Sequence, residues 1–112
     1  AGLVDLVDTH HRICDEISLI PTPGHTPGHV SVLIQSKGAE AVITGDMFHH
    51  PCQMAHPEWI DMGDISSDVA EQTRLAFMQR FGNRPSLVLG THFATPTAGH
   101  IVSDGKGWRF DT

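Results

Sequence analysis

The sequence predicts an α/β or α+β domain in which a mixed sheet is covered by at least one helix. Short apolar runs, several of them alternating with polar residues, recur along the 112 residues and are typical of strands. The segment 64–83 has the caps and apolar spacing of a helix. Because this helix falls between predicted strands, we expect it to lie on one face of the sheet.

The first half of the chain predicts three strands. The apolar run Ile17 to Ile20 ends in a proline-rich turn. The segment "HVSVLIQSKG" alternates around Val30, Val32 and Ile34, turns at Lys37-Gly38, and continues into the strand "EAVITGD". These two strands therefore predict a hairpin. The following segment, "FHHPCQMAHPEW", has no period and predicts a loop.

The second half predicts the helix and three more strands. Ser66 or Ser67 can cap the helix, with acidic residues in its first turn and Gly82 as its stop signal. We expect five apolar residues to face the sheet: Val69, Leu75, Phe77, Met78 and Phe81. Beyond the helix, "PSLVLGTH" predicts a buried strand and "GHIVSDGKGWRF" a last hairpin.

Composition excludes some classes of function. The net charge of −6 argues against binding to nucleic acid or to an anionic membrane surface. No apolar run approaches the roughly 20 residues that span a bilayer, and no signal peptide is visible, which favours the cytoplasm. Cys14 and Cys52 are too few for a disulfide scaffold, and sequence does not decide whether they pair. The nine histidines are unusually many for a chain of this length.

Three predicted strands end in the same way. An apolar run and a glycine lead to His25 in "SLIPTPGH", to Asp46 in "AVITGD" and to His92 in "SLVLGTH". Open α/β sheets bind their ligands at the carboxyl ends of strands, so we expect these side chains to meet. Imidazole and carboxylate together suit zinc, iron or manganese, and a carboxylate has two oxygens with which to bridge two metals.

These residues carry a resemblance to a known family. "TPGHTPGHVSV", "VITGD" and "LGTHF" stand in the order found in metallo-β-lactamase-fold hydrolases. The segments "GDMFHHPCQ", "HPEW", "DISSD" and "HFATPTAGHIVSDGKGWRF" are most similar to the branch that holds methyl parathion hydrolase and related lactonases. The resemblance implies a four-layer αββα sandwich with a dinuclear metal site, usually zinc.

The resemblance also implies roles for particular residues. His25 would bind the first metal, Asp46 would bridge both, and His92 would bind the second. His29 would make a hydrogen bond that holds the loop behind His25. In the complete site a bridging hydroxide would attack an ester, lactone or phosphotriester centre, and Asp46 would be catalytic because it fixes the metal geometry and accepts a proton. Four residues on the loop after Asp46 would border the substrate pocket: His49, His50, Gln53 and Trp59.

The chain departs from the family in one respect, since it contains no "HxHxDH" motif. That motif supplies four of the family's seven ligands from the N-terminal half of the fold. We therefore interpret residues 1–112 as the C-terminal portion of one such domain, with the missing N-terminal half as its partner. Half a sandwich exposes a sheet face, so the chain is expected to be sticky or to form a homo-oligomer. With three of seven ligands, it is expected to bind metal weakly and to show no turnover alone.

Two other interpretations stay open from sequence. The same fold serves redox chemistry in flavodiiron-type relatives, although no flavin signature occurs here. Alternatively, the chain is a truncated, non-catalytic module kept for interaction. An upstream "HxHxDH" would distinguish an enzyme from such a module. His100 is expected to lie at a strand edge with no catalytic part.

Overall fold

The computed structural model describes residues 2–112. These residues form seven strands and two α-helices, together with a 3-10 turn at Gly45–Met47. The elements, in chain order, are β1 (His11–Arg12), β2 (Ile17–Pro21), β3 (Val30–Ser36), β4 (Ala39–Ile43), α1 (Cys52–Ala55), α2 (Ser67–Phe81), β5 (Leu87–Leu89), β6 (Ala98–Asp104) and β7 (Gly107–Asp111).

The strands lie side by side in the order in which they occur along the chain. Neighbouring strands are antiparallel except for β4 and β5, which run parallel with Val42 opposite Val88. A parallel pair needs a crossover connection, and helix α2 lies within this one. The predicted fold class, a mixed sheet with a covering helix, is confirmed.

The core lies between one face of the sheet and helix α2. Leu33, Val42, Val88 and Ile101 point to this face and are buried against aromatic and methionine side chains. The helix contributes Phe77, Met78 and Phe81 to the same cluster. Each such side chain contributes about 1.5–3 kcal/mol when it is fully buried, so this layer holds the helix in place.

The buried face of α2 differs from the predicted stripe. Phe77, Met78 and Phe81 are buried as expected, but Val69 and Leu75 are 38% and 37% exposed, so the prediction was wrong for these two. The buried positions 70, 74, 77, 78 and 81 follow the 3–4 residue spacing of a single helix face. That face therefore includes Arg74, a charged residue outside the predicted apolar stripe.

The structure also corrects the local prediction in two places. The segment predicted as a loop contains the short helix Cys52–Ala55, and the strand His11–Arg12 was not predicted. Cys14 and Cys52 are both free thiols. None of the helices within residues 2–112 is both long enough and apolar enough to cross a membrane.

The opposite face of the sheet is aliphatic and less covered. Successive side chains of a strand point to opposite faces, so the register pairs identify which residues share this one. None of its members across β2 to β5 is fully buried: Ile17, Leu19, Val30, Val32, Ile34, Ala41, Ile43, Leu87 and Leu89. We call this surface the open sheet face. It corresponds to the exposed sheet face that was predicted for half of a sandwich.

The 112-residue chain is expected to self-associate through the open sheet face. Val32→Glu should weaken that association at least about tenfold, because an unpaired carboxylate buried in an interface costs more than about 1.4 kcal/mol. Ser103→Glu is the control, since Ser103 is an exposed strand residue on the other face. Light scattering coupled to size exclusion, over a concentration series, measures the effect. A wild-type chain that stays monomeric at about 100 μM would contradict the expectation.

Candidate metal centre

His25 is held by a turn that packs directly on the start of helix α2. Gly24 has a φ of +137°, which side-chain-bearing residues rarely adopt, and a Cβ at this position would overlap the backbone of Ala70. The Gly24 carbonyl accepts a hydrogen bond from Ser66 N at 3.0 Å, and the His25 carbonyl accepts one from Ile65 N at 3.1 Å. The turn and the helix start therefore fix the backbone of His25 together.

His29 connects the turn to the end of strand β4. Its Nδ1 lies 2.9 Å from the Thr22 carbonyl, and its Nε2 accepts a hydrogen bond from Asp46 N at 2.9 Å. Since Nε2 accepts, Nδ1 carries the proton and donates to Thr22. Burial lowers the pKa of His29, which keeps the ring neutral as this pattern requires. His29 thus braces the backbone of Asp46 as well as the turn.

Asp46 and His92 follow the two parallel strands, β4 and β5. Gly45 has a φ of +61°, and a Cβ there would lie 2.7 Å from His29 Nε2, so glycine is needed for the close approach. Buried Thr44 ties the two strand ends together, since its N donates to the Leu89 carbonyl at 3.0 Å. The parallel pairing therefore brings Asp46 and His92 to the same edge of the sheet.

The Asp46 carboxylate lies between two imidazoles. Its Oδ2 is 3.6 Å from His25 Nε2, and its Oδ1 is 2.6 Å from His92 Nε2. The hydrogen bond from His92 is the largest influence on this carboxyl and lowers the pKa of Asp46. The side chains of Asp46 and His92 are 44% and 45% exposed, so the site is open to solvent.

His49 adds a fourth candidate donor. Its ring stacks on His92 with centroids 4.7 Å apart and lies 5.2 Å from the ring of His25. It belongs to two groups whose donor atoms lie within 4.8 Å of one another, one with Asp46 and His92 and one with His25 and Asp61. Its Nδ1 is buried and has no hydrogen-bond partner among residues 2–112. His49 was predicted as a pocket residue, whereas Asp61 was not predicted, because it does not follow a strand and a glycine.

The side chains at this edge of the sheet have the chemistry of metal ligands. Imidazole nitrogens and carboxylate oxygens form two neighbouring donor groups that share His49, and this type of donor set suits zinc, iron or manganese. His25 lies in one group, and Asp46 and His92 lie in the other. The unpartnered nitrogen of His49 is a buried polar atom that a cation or a ligand would satisfy. The donor set therefore fits a metal site at this edge of the sheet.

The other predicted pocket residues lie on the loop after Asp46, with different degrees of exposure. Gln53 is buried, and its amide bonds to the backbone of His49 and Trp59 at 2.8 and 2.9 Å, which leaves it little surface for a ligand. His50 is exposed, and its Nδ1 accepts a hydrogen bond from Cys52 N. Trp59 is half-exposed and stacks on His56 with ring centroids 4.2 Å apart. His100 lies in β6, outside both donor groups.

The family of the chain follows from comparison with known sequences. The family model described as "Metallo-beta-lactamase superfamily" matches residues 2–92. The chain belongs to this superfamily. This match confirms the resemblance to metallo-β-lactamase-fold hydrolases over most of the chain. No curated protein matches it in sequence.

Several solved structures share the fold of this chain. AidC, a dizinc quorum-quenching lactonase in complex with a product, superposes with a TM-score of 0.84 at 23% identity over 93% of this chain and 36% of its own. AbOPH, a hydrolase in the beta lactamase superfamily, gives 0.79 at 33% identity over 88% and 34%. A probable metal-dependent hydrolase from Staphylococcus aureus gives 0.74 at 23% identity over 93% and 37%. The chain thus spans about a third of the length of these proteins.

Proposed function

We propose that this superfamily member contributes to a dinuclear metal-dependent hydrolase, with zinc as the metal and iron or manganese as alternatives. One observation carries the proposal. The two oxygens of Asp46 face two different imidazole nitrogens, of His25 and of His92. A carboxylate placed in this way suits a bridge between two metals. The proposed ligands are His25 for one metal, His92 for the other, and Asp46 for both.

Different residues of the chain would have different roles in the proposed hydrolysis. His25, Asp46 and His92 would hold the metal, which would supply hydrolytic chemistry by lowering the pKa of water toward ~7. His29 holds the Asp46 backbone through its Nε2, which orients the carboxylate. The hydrogen bond from His92 lowers the pKa of Asp46, so the carboxylate is charged and both of its oxygens are available as ligands. His49 lies beside both His25 and His92, where it would contact a substrate or a metal.

The proposed substrates are small esters, lactones and phosphotriesters. AidC, a lactonase, supports the lactone class because it shares the fold at a TM-score of 0.84, and the 33% identity to the hydrolase AbOPH supports hydrolysis in general. Fold alone does not fix the chemistry. The remaining ligands are proposed to come from an N-terminal half outside residues 1–112, which makes that half the main partner of this chain.

His92→Ala and Asp46→Asn are each expected to weaken zinc binding at least about 100-fold, because each removes one charged or coordinating donor from a small set. Competition with a chromogenic zinc chelator measures the affinity, and the visible absorption of bound Co²⁺ reports the ligand set. His100→Ala is the matched control, since His100 lies outside both donor groups.

The isolated chain also tests whether the catalytic site is shared with another segment. The 112-residue chain alone is expected to hold zinc weakly and to hydrolyse neither a lactone nor a phosphotriester. Unchanged zinc affinity in both variants would refute the metal assignment. Hydrolysis by the pure, zinc-loaded chain would refute the proposal that its catalytic site is shared with another segment.

A further inference from the structure

We infer that Asp64, held by Arg74, is a positioning residue that fixes the ring of His25 so that its Nε2 faces Asp46. The inference rests on the proposed function, since it assigns a support to one of the proposed metal ligands. Neither Asp64 nor Arg74 belongs to the strand-end pattern or to the two donor groups. Asp64 lies 39 residues from His25 in sequence, in the loop before helix α2.

Asp64 contacts the ring of His25 directly. Asp64 Oδ1 lies 3.1 Å from His25 Nδ1, and the carboxylate is fully buried. An ionised carboxylate only accepts hydrogen bonds, so Nδ1 must carry the proton and donate it. The lone pair then lies on Nε2, which is the nitrogen 3.6 Å from Asp46 Oδ2. The contact thus selects the tautomer that can bind a metal beside Asp46.

Asp64 is also paired with Arg74. An arginine side chain remains protonated in proteins, so a buried carboxylate paired with it is held in its charged form. The Arg74 guanidinium supplies Nη2 to Asp64 Oδ2 at 2.7 Å, and both side chains are fully buried. The carboxylate therefore stays charged without solvent, and both of its oxygens have defined partners.

Arg74 is itself anchored by backbone carbonyls. Its Nε donates to the Met47 carbonyl at 2.9 Å, and its Nη1 donates to the carbonyls of Pro57 and Trp59 at 3.2 and 3.3 Å. Met47 directly follows Asp46 in the chain. One guanidinium thus holds the Asp64 carboxylate and the backbone next to Asp46, so the positions of His25 and Asp46 are coupled through a single side chain of α2.

The test begins with the unmodified, metal-free protein labelled with ¹⁵N-histidine. Long-range ¹H–¹⁵N correlation spectra distinguish the two neutral tautomers, with His25→Ala identifying the signal. The expected result is a His25 ring protonated at Nδ1. A ring protonated mainly at Nε2, or an even mixture of tautomers, overturns the inference without any variant of Asp64.

Asp64→Asn then tests the consequence for metal binding. This change keeps the shape of the side chain and removes the charge, and the zinc affinity is expected to fall about 10–100-fold, as it does when such supporting carboxylates are lost. Asp68→Asn, an exposed carboxylate in the first turn of α2, should leave it unchanged. Circular dichroism and thermal unfolding verify that the variants are folded.

The outcomes separate this inference from the proposed function. Loss of zinc binding in His25→Ala with normal binding in a folded Asp64→Asn overturns the positioning role and leaves the metal site standing. Normal binding in both variants overturns the assignment of His25 itself, and the positioning role with it. Weakened binding in both, together with the Nδ1-protonated tautomer in the unmodified protein, supports the inference.

Discussion

Replacing Gly24 with alanine is expected to destabilise the folded chain by about 3 kcal/mol, whereas the same change at Gly28 should alter stability by less than about 0.5 kcal/mol. The two glycines occupy equivalent places in the repeated "PGH" of the motif "TPGHTPGH". Their surroundings differ completely, which makes the pair a matched experiment within one turn.

The large effect at Gly24 has two sources. Its φ of +137° is costly for any residue with a Cβ, at about 1–2 kcal/mol or more. The added methyl group would also overlap the backbone of Ala70, and backbone cannot move aside as a flexible side chain can. Such overpacking costs typically about 1–3 kcal/mol. At Gly28 a Cβ meets nothing within 4 Å.

Denaturant unfolding of the two variants measures the difference in stability, and zinc titration measures its effect on the site. Because Gly24 precedes His25, a folded Gly24→Ala variant should also bind zinc more weakly than Gly28→Ala. Equal stability of the two variants would show that the contact between the turn and Ala70 does not constrain the fold.

Arg74→Met is expected to destabilise the chain by about 3–5 kcal/mol, because it leaves the Asp64 carboxylate buried without its partner. Methionine keeps much of the length and apolar character of the side chain, so the loss is mainly of charge and hydrogen bonds. The carbonyls of Met47, Pro57 and Trp59 would lose donors at the same time.

Arg80→Met is the control for this prediction, because Arg80 lies on the same helix, is exposed and contacts the ring of Phe81. It should cost less than about 1 kcal/mol. The double variant Asp64→Leu with Arg74→Met should recover part of the lost stability, since no unpaired charge remains. A double variant less stable than Arg74→Met alone would show that packing, rather than the unpaired charge, dominates.

Sequence predicts the parts of the site that obey local rules. His25, Asp46 and His92 each follow a short apolar run and a glycine, and strand ends at one edge of a sheet come together, so their meeting could be foreseen. Arg74 could not be placed in this way. An arginine in an amphipathic helix ordinarily faces water, and only the tertiary contact with Asp64 and three carbonyls explains its burial.

The helix stripe failed at Val69 and Leu75 for the same reason. Hydrophobicity alone favoured these two as core residues, whereas the closely packed turn at Gly24 requires a small residue, Ala70, and the buried ion pair requires Arg74. Which face of the helix packs on the core is therefore decided by Ala70 and Arg74 together with the aromatic side chains. A purely hydrophobic pattern does not contain that information.

The parallel pairing of β4 and β5 has a kinetic consequence. Antiparallel neighbours can form by local hairpin closure, but this pair, with Ile43 opposite Leu89, can join only after the long connection through α2 has closed, at a cost in chain entropy. Asp46 and His92 lie immediately beyond these strands. The two halves of the proposed metal site therefore come together at a slow, non-local step of folding. An ion that binds only after this step is complete should slow unfolding and leave the rate of folding nearly unchanged.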